Sequence, residues 1–126
     1  MNKERPQMGA RWSLPDIMSG SDNFLTMIGD FETSENTPFI SDMSLHFYRL
    51  PRGEEDKQHP HREDELYYVL SGTRMIRITA DSKTVEVSLK PGDLVFVPAY
   101  AQHKFVGEDE IALLVFFAPN YSGRPQ

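Results

Sequence analysis

From residue 43 to residue 118 short apolar and aromatic runs alternate with compact polar turns. "MSLHFYRL" stops at the turn signal Pro51–Gly53, and "ELYYVL" is closed by "SG". "TRMIRIT", the polar turn "ADSKT" and "VEVSL" follow; "KPGD" then leads to "LVFVP" and "HKFV", and "GEDE" to "IALLVFFAP". No segment in this region sustains a helical period over ten or more residues. Seven or so short strands at regular spacing predict an all-β sandwich or barrel. "IALLVFFA" is apolar at both parities, so both of its faces need cover. A second sheet can supply one cover, and the N-terminal arm or a second subunit the other. A homodimer is therefore expected.

The pattern before residue 43 is weaker. Residues 1–12 read as a polar arm ending in Trp12. "SLPDIM" (13–18) fits one short helical turn, with Ser13 as N-cap and Pro15 tolerated in the first turn; plain coil is the alternative. "NFLTMIGDF" (23–31) predicts a strand ending near Gly29, "ETSENTPF" (32–39) is turn-rich, and "NYSGRPQ" is a polar tail. The expected organisation is one domain: an arm with the first strand or strands (1–42), a barrel core (43–118) and a tail (119–126).

Composition narrows the function. The 126 residues, 39% hydrophobic and 25% charged, are those of a globular domain with its own core. The net charge of −6 and the scattered basic residues point away from nucleic acid. The longest apolar run, eight residues, is far short of a membrane helix, and "MNKERPQMGARWS" lacks the apolar stretch of a signal peptide. Cytoplasmic location is the expectation. There is no cysteine, so a metal would have to be held by His, Asp, Glu or water.

The chemistry concentrates in "QHPHREDELYYVLSG". Side chains two apart on an extended strand share a face, and Pro60 pushes His59 toward extended backbone. His59 and His61 are then presented side by side. Of the neighbouring acids, Asp64 has the wrong parity; Glu65 is favoured and Glu63 is held in reserve. His103, after the proline turn "VPAYAQ", stands where another imidazole can reach the same point. Three neutral imidazoles and one carboxylate suit one divalent transition ion, Fe, Mn, Ni, Co, Zn or Cu, and leave an octahedral ion two open positions. Surface or core histidines remain the alternative at each position.

The stretch Gly53–Gly72 resembles the first motif of the cupin family, G-x5-H-x-H-x3-E-x6-G, at every fixed position. Gly92–Gly107 is similar to the second, G-x5-P-x-G-x2-H-x3-N, through Gly92, Pro98 and His103. Tyr100 replaces the usual glycine, which puts the tight turn before the histidine in doubt; Gly107 replaces the usual asparagine, a polar side chain that is not a metal ligand. The two motifs span about a third of the chain. The resemblance implies a cupin-type antiparallel β-barrel, a jelly-roll-like double-stranded β-helix, with His59, His61, Glu65 and His103 as metal ligands. His46 matches no ligand position and reads as a strand histidine.

An enzyme acting on a small organic molecule is the first functional expectation: dioxygenase chemistry on iron, or isomerase or lyase chemistry by Lewis-acid action. Tyr67 shares the parity of Glu65 and is the candidate inward-facing catalytic hydroxyl; simple packing is the alternative. A non-catalytic small-molecule or carbohydrate-binding cupin, or a sensor, is the second expectation.

Overall fold

The computed structural model describes residues 5–29 and 42–118. The turn expected at 32–39 and the tail at 119–126 lie outside the described residues. One short helix, α1 (Leu14–Ser19), precedes eight strands: β1 (Phe24–Ile28), β2 (Ser44–Leu50), β3 (Asp64–Gly72), β4 (Arg74–Ala80), β5 (Lys83–Leu89), β6 (Leu94–Val97), β7 (Gln102–Val106) and β8 (Ile111–Ala118). The helical reading of "SLPDIM" is the one adopted. Ser13 caps it by accepting from the Asp16 N–H at 3.4 Å, and Pro15 lies in the first turn. Arg49 holds the end of α1, its guanidinium donating to the carbonyls of Met18, Gly20 (3.2 Å) and Asp22 (3.1 Å).

The strands form two antiparallel sheets, in the orders β1-β2-β8-β3-β6 and β5-β4-β7. The chain changes sheet between β3 and β4, where Gly72 adopts φ 80° and a Cβ would lie 1.9 Å from the Glu110 carbonyl oxygen. Only glycine fits such a close approach. The turn expected over 80–84 shortens to Asp81–Ser82, both left-handed (φ 52° and 63°), a two-residue hairpin loop that lengthens β5 at its start.

Alternation places Leu50, Tyr67, Val69, Ile76, Phe105 and Leu113 in one core between the sheets. β8 is buried on both sides, as its composition demands. Ile111, Leu113 and Val115 face inward; Ala112 and Leu114 join an outer cluster with Met27, Phe47, Trp12, Ile17 and Met18. The arm and α1 therefore supply the outer cover, and β8 does not itself call for a second subunit. At one end the buried Arg74 guanidinium donates to the carbonyls of Pro51, Glu54, Gly107 and Asp109, tying the 51–54 and 107–109 loops together. This roots the segment that carries the histidines.

Candidate metal centre

Glu65 is the second residue of β3, and alternation turns it into the core at 1% exposure. His103 is the second residue of β7 and points into the same interior from the other sheet. His61 comes from the strandless stretch just before β3. Two hydrogen bonds bring these pieces together, the Tyr100 N–H donating to the His61 carbonyl (2.7 Å) and the Ala99 N–H to the Asp64 carboxylate (2.9 Å), while the Ala101 N–H donates to the Pro98 carbonyl (3.2 Å) and closes the turn. The turn before His103 thus survives the loss of its usual glycine. Tyr100 takes the left-handed conformation (φ 68°) with an exposed ring, at a strain of about 1–2 kcal/mol.

His61, Glu65 and His103 offer ligand atoms that all lie within 4.8 Å of one another. The second nitrogen of each ring explains their state. His61 Nδ1 is 3.1 Å from the Glu63 carbonyl oxygen and His103 Nδ1 is 3.0 Å from that of Ala101. A carbonyl only accepts, so each neutral ring commits its proton there and turns a bare Nε2 lone pair inward. Both Nε2 atoms lie 3.1 Å from the same oxygen, Glu65 Oε1. Two lone pairs facing a carboxylate repel unless a cation joins them. A single proton can serve only one of the pair. Glu65 Oε2 and His103 Nε2 are buried and make no hydrogen bond, so the donor set fits a divalent ion better than a proton.

The same electrostatics set the titration. Burial alone would raise the Glu65 carboxyl, but in the metal-free site the two imidazoles, when a proton sits on Nε2 between ring and carboxylate, outweigh it and hold the group below its ordinary value. Burial likewise presses His103 down, and the Glu65 carboxylate reverses this to a net rise. The ring planes of His61 and His103 meet at 72° with centroids 5.1 Å apart, and Phe117 packs edge-on against His61 at 4.8 Å.

His59 departs from the sequence expectation: it is exposed and stands outside the group. Alternation pairs its face with His61 only if the backbone runs as a strand, and residues 51–63 form none. Glu63, the reserve ligand, is buried beside His61 (3.7 Å to Nδ1) and lends it a backbone carbonyl. His46 is a strand histidine, buried between the hydroxyls of Thr26 and Ser44 (both 3.0 Å) and stacked against Phe24.

Tyr67 is fully buried, and its hydroxyl donates to Gln58 Oε1 at 2.7 Å. Burial first, then the Glu65 carboxylate, pushes its ionisation well above that of a free phenol. Gln58 in turn donates to Asp56 (2.9 Å), which also accepts from the Phe105 N–H (2.8 Å) and from the Tyr48 hydroxyl (3.4 Å). Sequence reasoning missed Asp56 and Gln58. In "EEDKQ" they read as a solvated charge run, and the backbone partner that buries Asp56 lies 49 residues away. No local signal marks them.

These features are those of a two-sheet antiparallel β protein with a candidate metal site between its sheets. Residues 46–117 match the Cupin domain family, and the chain belongs to it. An uncharacterised protein of Streptomyces coelicolor is 42% identical over 79 residues, covering 61% of this chain and 71% of its own length. Acireductone dioxygenase of Bacillus cereus is 32% identical over 87 residues, covering 66% of this chain. This chain spans 46% of that relative's length. Among solved structures, DMSP lyase DddQ from Ruegeria pomeroyi superposes with a TM-score of 0.66 at 25% identity, covering 94% of this chain and 56% of the other. Bacillus subtilis oxalate decarboxylase, at 21% identity and a TM-score of 0.59, covers 64% of this chain and 22% of its own, and shares the fold. Among the described residues no helix is long and apolar enough to cross a membrane.

Proposed function

We propose that this cupin is an enzyme acting on a small organic molecule through one divalent transition-metal ion. His61, Glu65 and His103 hold the ion, and His59 moves in from the adjoining strandless segment to complete the set. The observation that carries this reading is the convergence of two carbonyl-committed imidazoles on one buried carboxylate. Bound there, the ion would polarise a substrate oxygen as a Lewis acid, and iron would add dioxygen chemistry. Similarity to acireductone dioxygenase supports the dioxygenase form of the reading, ahead of isomerase or lyase action.

The chain's own residues complete the site. Glu63 and Ala101 fix the tautomers of the two imidazoles. Tyr67 holds a proton beside Glu65, and the Gln58 carbonyl, oriented by Asp56, takes the hydroxyl's hydrogen bond. Substrate-dependent oxygen uptake by the Fe(II)-loaded protein tests the dioxygenase assignment. Binding of metal and ligand without turnover of any kind would place the chain among non-catalytic or sensor cupins. Homodimer formation is proposed on the exposed Leu94 and Phe96 of edge strand β6. Light scattering that returned 14.5 kDa would remove it.

A further inference from the structure

A cleft of about 660 Å³ opens over Glu65, and its walls restrict what can lie there. Phe24, Tyr48 and Phe117 present rings to it, with Leu50 and Val115 beside them. Phe24 keeps 51% of its surface exposed although its ring stacks on His46 at 5.4 Å and meets Tyr48 edge-on at 6.4 Å. The rings form a supported apolar wall at the cleft's mouth.

Among the described residues, the charged groups lining the cleft are four acids, Glu54, Glu55, Asp56 and Glu65, and two bases, Arg49 and Lys57. Arg49 spends its guanidinium on the carbonyls of Met18, Gly20 and Asp22 and lies over Phe47, so it does not serve as an anion clamp. Phosphate and polycarboxylate recognition relies on converging Arg, Lys or backbone N–H donors. This cleft has the opposite balance.

We infer that the site takes a compact, non-phosphorylated organic molecule: one chelating oxygen head over Glu65 and an aromatic or branched apolar body against Phe24 and Phe117. This rests on the metal reading above and specifies its substrate class. The apolar body contributes affinity by leaving water against the rings, and once the head has taken the ion, a second anionic group would meet Glu54 and Asp56 with no converging clamp of cations among the described lining residues.

The test uses the redox-silent Zn(II)-loaded full chain and three α-hydroxycarboxylates that share one head: lactate, mandelate and 3-phosphoglycerate. Metal content is measured first and calorimetric affinity second. The expected order is mandelate tightest, at least tenfold over lactate, with 3-phosphoglycerate weakest. Phe24→Ala should remove most of the mandelate advantage over lactate. Protein that holds no zinc refutes the metal reading. Zinc-loaded protein that binds mandelate no better than lactate, or prefers 3-phosphoglycerate, overturns the substrate class while the metal reading stands.

Discussion

His46 and the pair His61–His103 are buried or half-buried imidazoles between the two sheets, yet of these three it is the pair that converges on a buried carboxylate. Each nitrogen of His46 meets a hydroxyl, Thr26 or Ser44, and a hydroxyl can donate or accept as the ring requires. The neutral ring is satisfied, and burial lowers its pKa to about 4 despite the opposing pull of Glu65. His61 and His103 instead meet groups that only accept: a carbonyl at one nitrogen and a carboxylate at the other. Burial therefore does not distinguish a ligand from a core histidine. The donor or acceptor character of its neighbours does.

The sharpest way to break this contrast is to remove each kind of histidine in turn. His61→Ala and His103→Ala should each abolish stoichiometric metal while leaving the barrel folded. His46→Ala should keep the metal and lose about 3 kcal/mol of stability, from the cavity and two stranded hydroxyls. Metal analysis and denaturant unfolding of the three variants give the result. Retained metal in His61→Ala together with lost metal in His46→Ala would invert the assignment.

Acid separates the two environments next. The unfolded chain protonates His46 near its ordinary value of 6.5, and the folded chain only near 4. The unfolded state thus binds more protons between these values, and about 3 kcal/mol of stability present above pH 6.5 is lost as pH falls toward 4. His103 works in the opposite sense. Its raised pKa adds stability below pH 6.5 that is lost as pH rises through the folded value. Unfolding free energies measured from pH 7 to pH 4.5 should fall more steeply for wild type than for His46→Gln. Parallel curves would show that His46 does not titrate as its surroundings require.

Metal itself should stabilise by about 2.7 kcal/mol at 100 times its dissociation constant, because it binds only the folded arrangement. Protons compete for the imidazoles, so affinity should weaken as pH drops, with the loss setting in above the ordinary imidazole value because the His103 pKa is raised. In His103→Ala the melting temperature should not respond to metal, whereas in a His46 variant it should. His59→Ala belongs in the same series: weakened metal binding supports its recruitment, and unchanged affinity limits the set to three residues.

The smallest effect concerns the turn that aims His103. Tyr100→Gly should add about 1 kcal/mol by relieving the left-handed backbone, with metal affinity unchanged. Destabilisation in thermal unfolding would mean that the exposed ring contributes more than the backbone strain removes.

Much of this was legible in order along the chain. Alternating apolar positions and Pro/Gly turns marked the strands between 43 and 118; strand parity brought His59, His61 and Glu65 forward, and the motif resemblance added His103 to them as the implied ligand set. His59 stands apart from the group because face-sharing holds only on a strand, and whether residues 51–63 join a sheet depends on partners elsewhere. Asp56 hid in a charge run because the Phe105 N–H that draws it inward is remote in sequence. The cover of β8 stayed undecided between arm and second subunit until Trp12, Ile17 and Met18 were seen against Ala112 and Leu114.

What the amino-acid order determined by itself was whatever rests on local periodicity and backbone chemistry: strand positions, turn sites and the inward parity of Glu65 and Tyr67. Those depend on neighbours one to four residues away. Tertiary structure alone decided which histidines share a carboxylate, which acid is buried, and what closes the outer face of β8. These depend on groups that the two sheets bring within hydrogen-bond or van der Waals reach, and such contacts leave no period in the sequence.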